Sequence, residues 1–185
     1  MKKTVLVVLA DGFEEIEAIT PIDVLRRAGL EVIVAGVGKR EVTGAHDITV
    51  ETNIILEQYQ EVPDAIVLPG GMPGAENLSK SQALGDVLQK MKKAGKIIGA
   101  ICAAPAVVLS PAGFLDGKKA TCFPGFEDQL SSKVIFLEDR VVRDGQIITS
   151  RGAGTALEFS LEIVSQLVGP EAAKKIAQAV LAKDY

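Results

Sequence analysis

The chain has 185 residues, 20 Lys and Arg against 24 Asp and Glu, a net charge of −4, and 48% hydrophobic residues with two Tyr, six Phe and no Trp. That length suits one domain over 1–185 with a large aliphatic core, and interleaved charges without a basic run backed by aromatics argue against nucleic acid as a partner. No apolar run reaches the ~18 residues needed to span a bilayer, and one His with two Cys at no clustered spacing argues against a structural zinc site.

Thr4 to Ala10 is continuously apolar and reads as a strand covered on both faces, as in a parallel sheet. A strand that starts so early leaves no room for a secretory signal, and Cys102 and Cys122 do not make a disulfide framework, so a reducing cytoplasm is expected. After Asp11-Gly12-Phe13 a helix is predicted through Arg27, closed by Gly29. Glu14 and Glu15 suit the positive end of its dipole. Glu17 differs from them: it shares a face with Pro21, Val24 and Ala28, and so points inward. A carboxyl group there favours its neutral form, which makes Glu17 a candidate proton donor or shuttle beside the plain reading of a buried acid.

Glu31 to Val37 is the next strand, and Glu41–Gly44 with Asp47–Val50 forms a small hairpin around His46. That histidine reads as surface or dimer-edge polar, since the sequence places no metal-binding partners beside it. Asp64 to Leu68 is a buried strand running into Pro69-Gly70-Gly71-Met72-Pro73-Gly74. Adjacent glycines after a strand let backbone N–H groups approach an anion, so Gly70 and Gly71 are candidate oxyanion residues. Ser81 to Ala94 is an amphipathic helix stopped by Gly95.

Lys96 to Ile101 is a strand that runs through Cys102 into an apolar helix, Ala103 to Leu109. A cysteine at such a joint lies beside unpaired helix N–H groups, which favour the thiolate; the competing reading is a small buried hydrophobe. Strands are predicted at Lys118–Cys122, Val134–Leu137, Arg140–Val142 and Gln146–Thr149, the last two joined at Asp144-Gly145. Helices follow at Ala156–Leu167 and after Pro170. Alternating strands and helices give an α/β three-layer sandwich around a mostly parallel sheet, with ligands expected at the C-terminal strand ends.

Four segments in order, Ala10-Asp11-Gly12-Phe13-Glu14-Glu15-Ile16-Glu17, Leu68-Pro69-Gly70-Gly71, Ala100-Ile101-Cys102-Ala103-Ala104-Pro105 and Thr149 to Thr155, resemble the ThiJ/PfpI (DJ-one) superfamily. Within it the chain looks most similar to the branch of the human Parkinson-disease protein and bacterial YajL. The resemblance implies a flavodoxin-like fold, akin to class I glutamine amidotransferases, and a homodimer. It implies that Cys102 sits in a strained elbow, that a protonated Glu17 bonds its sulfur, and that Gly71 and Ala103 offer N–H groups. Arg27 matches a position of charged dimer contacts, with Glu14 as its opposite charge. Protease-like members carry His where this chain has Ala103, so a Cys-His peptidase cannot form. Phe123, in Cys122-Phe123-Pro124, replaces a His of the human member and matches the bacterial branch.

The resemblance implies a cofactor-independent glyoxalase or deglycase that acts through Cys102 and Glu17 on methylglyoxal or glyoxal or on glycated protein. The alternative is a redox-responsive chaperone or stress sensor that works by Cys102 oxidation. A role in thiamine (thiazole) biosynthesis rests only on labels of relatives. No G-x-x-x-x-G-K-[ST] loop is present, which argues against a kinase.

Overall fold

The structure is a computed structural model and describes residues 2–182. In chain order its elements are β1 (Thr4–Leu9), α1 (Glu15–Arg27), β2 (Glu31–Gly36), β3 (Glu41–Thr43), β4 (Thr49–Glu51), β5 (Ile54–Ile55), β6 (Ala65–Leu68) and α2 (Gly74–Ser79). There follow α3 (Gln82–Ala94), β7 (Ile97–Ile101), β8 (Lys119–Ala120), β9 (Ile135–Phe136), β10 (Val141–Asp144), β11 (Ile147–Ser150), α4 (Ala156–Leu167) and α5 (Pro170–Ala179).

Seven strands form the central sheet in the order β10-β11-β7-β6-β1-β2-β5. Every neighbouring pair is parallel except β10–β11, which turns at Asp144-Gly145. Side-chain alternation along β1 explains the layers. Val5, Val7 and Leu9 pack with residues of α1, α4 and α5, whereas Leu6, Val8 and Ala10 pack with residues of α2 and α3. Both faces are covered, which is why β1, β6 and β7 read as unbroken apolar runs. Among the described residues no helix is long and apolar enough to cross a membrane.

The predicted helices over Ser81–Ala94 and Ala156–Leu167 are present. Ser81 caps α3 by accepting the Leu84 N–H, and Gly95 closes it in the left-handed conformation. Two predictions are corrected. The segment after Cys102 is a turn followed by a π-helix over Pro105–Leu109, in which the Ser110 N–H donates to the Pro105 carbonyl rather than to a nearer one. Glu15, distinguished from the inward-pointing Glu17 as a first-turn acid that suits the helix dipole, is itself buried.

β7 is central and delivers Cys102, so what packs on it fixes the site. At Gly99 of that strand an added Cβ would lie 2.9 Å from the Phe159 ring of α4. The missing side chain lets α4 sit directly on the strand.

Candidate active site

The strands β1, β6, β7 and β11 all end on one edge of the sheet, and their loops converge on Cys102. Its backbone N–H donates to the Ser150 carbonyl of β11 at 2.9 Å, and its carbonyl accepts the Phe123 N–H at 2.9 Å. Held from both sides, Cys102 takes φ +65°. That left-handed conformation is rare for a residue with a Cβ and costs on the order of 1–3 kcal/mol, which the surrounding packing must supply.

Gly70 is the hinge between Cys102 and α1. Its carbonyl accepts the Glu14 N–H at 3.0 Å, and its own N–H donates to Glu17 Oε2 at 2.8 Å. A Cβ at Gly70 would lie 2.7 Å from the Cys102 Cβ and 2.9 Å from Glu17 Oε2, so only glycine permits this approach. Gly71 has φ +84°, and a Cβ there would meet the Glu14 N and Gly12 O at 2.5 Å. The sequence therefore needs both glycines for close approach as well as for a turn.

Glu17 is 1% exposed, and among the described residues its Oε1 has no hydrogen-bond partner of ordinary geometry. Burial pushes this carboxyl up to about 7, although the Gly70 N–H and the Cys102 side chain pull the other way. Burial and the charge of Glu17 push the Cys102 thiol up to about 12, against the pull of the Gly71 and Ala103 N–H groups. This opposes the expectation that a helix N-terminus would lower the thiol. The following helix is a short π-turn, and burial together with the facing carboxyl outweighs the N–H groups at its start. Once Glu17 carries the proton, its charge no longer acts on the sulfur. The pair then has two one-proton forms, thiol with carboxylate and thiolate with carboxylic acid.

The fold thus brings together Cys102, Glu17, Gly70, Gly71 and Ala103. The other three candidates lie apart from the sulfur. Glu14 caps α1 by accepting the Glu17 N–H at 2.8 Å, and Arg27 pairs with Asp23 at 2.6 Å on the exposed helix surface. Among the described residues Glu14 and Arg27 are not paired with each other. His46 has the partners that the sequence did not show: Glu15 Oε1 accepts its backbone N–H at 2.7 Å and Oε2 lies 2.8 Å from Nδ1. Burial pushes the Glu15 carboxyl up, but the His46 ring and amide outweigh it and hold the carboxyl below its usual range. The same contact raises the imidazole. Glu14, Glu15 and His46 place ligand atoms within 4.8 Å of one another, but both Glu15 oxygens already serve His46, so the cluster is a hydrogen-bonded link, an ion pair when His46 is protonated, that ties the β3–β4 hairpin to α1.

Two features had only faint signals in the sequence. The Glu15–His46 link joins residues 31 apart, which no local pattern encodes. Phe123, visible only as part of a Phe-Pro-Gly turn, lies against Gly152 beside Glu17. Cys122 is fully buried and, like Cys102, a free thiol.

Residues 3–166 match the DJ-1/PfpI family. The chain is 42% identical over 184 residues to Protein dj-1beta of Drosophila melanogaster, covering 98% of both. It is 37% identical over 173 residues to Glutathione-independent glyoxalase DJR-1.2 of Caenorhabditis elegans, covering 92% of this chain and 91% of the relative. It spans only 41% and 45% of the length of the two Arabidopsis thaliana DJ-1 homologs B and A. The solved structure of oxidized Toxoplasma gondii DJ-1 superposes with a TM-score of 0.93 at 43% identity, covering 98% of this chain and 99% of that one. With a family match over residues 3–166 and a relative 42% identical over nearly its whole length, the chain belongs to the DJ-1/PfpI family.

Proposed function

We propose that the protein is a cofactor-independent glyoxalase that converts methylglyoxal to lactate and glyoxal to glycolate. The observation that carries this reading is a buried carboxyl with a free oxygen, poised near neutrality, beside a cysteine whose sulfur faces two backbone N–H groups. The C. elegans relative named as a glutathione-independent glyoxalase supports it.

In the thiolate form the Cys102 sulfur adds to the aldehyde carbon C1, and Glu17 gives its proton to the aldehyde oxygen, forming a hemithioacetal. The Glu17 carboxylate then takes the C1 proton, leaving an enediolate whose oxygen the Gly71 and Ala103 N–H groups stabilise. Glu17 returns that proton to C2 while the C1 hydroxyl proton passes to the C2 oxygen. C1 is oxidised and C2 reduced, so no external electron carrier is required. Water cleaves the resulting thioester and restores the thiol.

Cys102→Ala is expected to abolish lactate formation from methylglyoxal assayed without glutathione. Lactate formation equal to wild type in that variant would sink the mechanism. Release of intact amine from a preformed adduct, faster than free methylglyoxal is consumed, would instead identify a deglycase.

A second reading is oxidation sensing through Cys102, which the match to an oxidized relative favours. The same N–H groups would stabilise a sulfinate. We also propose a homodimer. Ile16 and Ile19 of α1 and Ile48 of the hairpin are 53%, 43% and 55% exposed, and the Glu15–His46 pair holds the hairpin against α1. Sedimentation is expected to give twice the chain mass of 19.5 kDa, and a monomer at micromolar concentration would overturn this.

A further inference from the structure

Two large apolar residues that adjoin the site residues in the chain or in space are left partly in water. Met72 is 41% exposed and directly follows Gly71, whose N–H faces the Cys102 sulfur. Phe123 is 43% exposed, and its backbone N–H is the group that holds the Cys102 carbonyl. The Phe123 ring is not a loose surface group. Its edge meets Phe126 at 6.3 Å between centroids and 74° between planes. It also rests on Gly152: a Cβ at that position would lie 3.1 and 3.4 Å from two ring carbons and 3.9 Å from Glu17 Oε1. The absence of a side chain at Gly152 leaves room for the ring, and the same space borders Glu17 Oε1, a buried oxygen with no partner among the described residues.

We infer that Phe123, together with Met72 beside Gly71 in the chain, forms an apolar rim that binds the substituent on C2 of an α-oxo aldehyde, so that the site selects alkyl- and aryl-substituted dicarbonyls over unsubstituted glyoxal. This rests on the glyoxalase reading of the site. In the covalent adduct three directions around C1 and its oxygen are taken, by the sulfur, by the Gly71 and Ala103 N–H groups, and by Glu17. The C2 substituent is left to face outward, toward the rim. An apolar wall there removes a methyl or phenyl group from water and gains nothing from hydrogen.

Burying one methyl in a closed apolar pocket is worth about 10–200-fold in kcat/KM. A rim this open should give the lower end of that range. The test is the ratio of kcat/KM for methylglyoxal to that for glyoxal, measured for wild type, Phe123→Ala and Phe123→Leu. Phe123→Ala is expected to lower the ratio by about 3–10-fold, and the corresponding phenylglyoxal ratio by more, whereas Phe123→Leu keeps both within about twofold of wild type. All of these variants keep the backbone N–H that holds Cys102. The alkylation rate of the Cys102 thiol by iodoacetamide should therefore match wild type, which also reports that the elbow is folded. If wild type turns over methylglyoxal and the ratio is unchanged in Phe123→Ala, the rim inference is overturned while the glyoxalase reading stands. If wild type turns over neither aldehyde, the glyoxalase reading itself falls and the rim inference with it.

Discussion

Glu17→Gln is expected to lower methylglyoxal turnover by about 10²–10⁴-fold, the usual range for removing a positioned acid–base group. Glutamine keeps an oxygen for the Gly70 N–H and nearly the same volume, so the elbow should survive while proton transfer is lost. Turnover within about threefold of wild type would show that another group moves the proton. The same substitution has a stability signature with a defined sign. The Glu17 carboxyl titrates near 4.5 in the unfolded chain and at about 7 in the folded one. Below about 4.5 both states hold the proton. Between these values the unfolded chain releases a proton that the folded protein retains, so wild-type stability declines as pH rises and is lowest above about 7. A shift of this size corresponds to about 3 kcal/mol. Glutamine does not titrate, so relative to Glu17→Gln the wild type should lose about that amount between pH 4.5 and pH 8 in denaturant unfolding. Parallel stability curves would mean that the Glu17 carboxyl titrates over the same pH range in the folded and unfolded states.

The second large effect is at Gly70. Gly70→Ala would place a methyl group 2.7 Å from the Cys102 Cβ, 2.9 Å from the Ala103 N and 2.9 Å from Glu17 Oε2. Two of these atoms belong to the elbow itself and the third is a buried carboxyl oxygen held by the Gly70 N–H, so the elbow or the Glu17 carboxyl must move. Overpacking of this kind costs about 1–3 kcal/mol, or about 2–12 °C in Tm for a chain of this length. Misplacing reacting groups by about 1 Å costs about 100-fold in rate, so kcat should fall by at least that much. A variant with wild-type kcat and Tm would show that the close approach at Gly70 is not required. Steady-state kinetics and thermal unfolding on one preparation decide the matter.

The layered architecture was legible because each buried strand leaves a local mark. Thr4–Leu9, Ala65–Leu68 and Ile97–Ile101 are apolar on both faces, which only a sheet covered on both sides requires. The candidate nucleophile was legible from a strand-to-helix joint, and Glu17 from the face it shares with Pro21 and Val24. These are properties of residues close together in the chain. The short elements were harder to read. β5 and α2 are too short to set up a period, and the π-turn after Cys102 differs from an α-helix only in which carbonyl each N–H reaches.

What the sequence determined by itself was the order of strands and helices, the residue types at the elbow and the burial of Glu17, because hydrophobic period and turn chemistry act within a few residues. What only the tertiary structure decided was which way the proton equilibrium leans. Whether a thiol is lowered by helix N–H groups or raised by burial and a facing carboxylate depends on distances among β7, β6 and α1 that no local pattern contains. The same holds for His46, an isolated polar residue in the sequence. It becomes the partner of a buried glutamate 31 residues away only when the β3–β4 hairpin folds onto α1. Local sequence sets what each residue can do, and the packing of distant segments sets the field in which it does it.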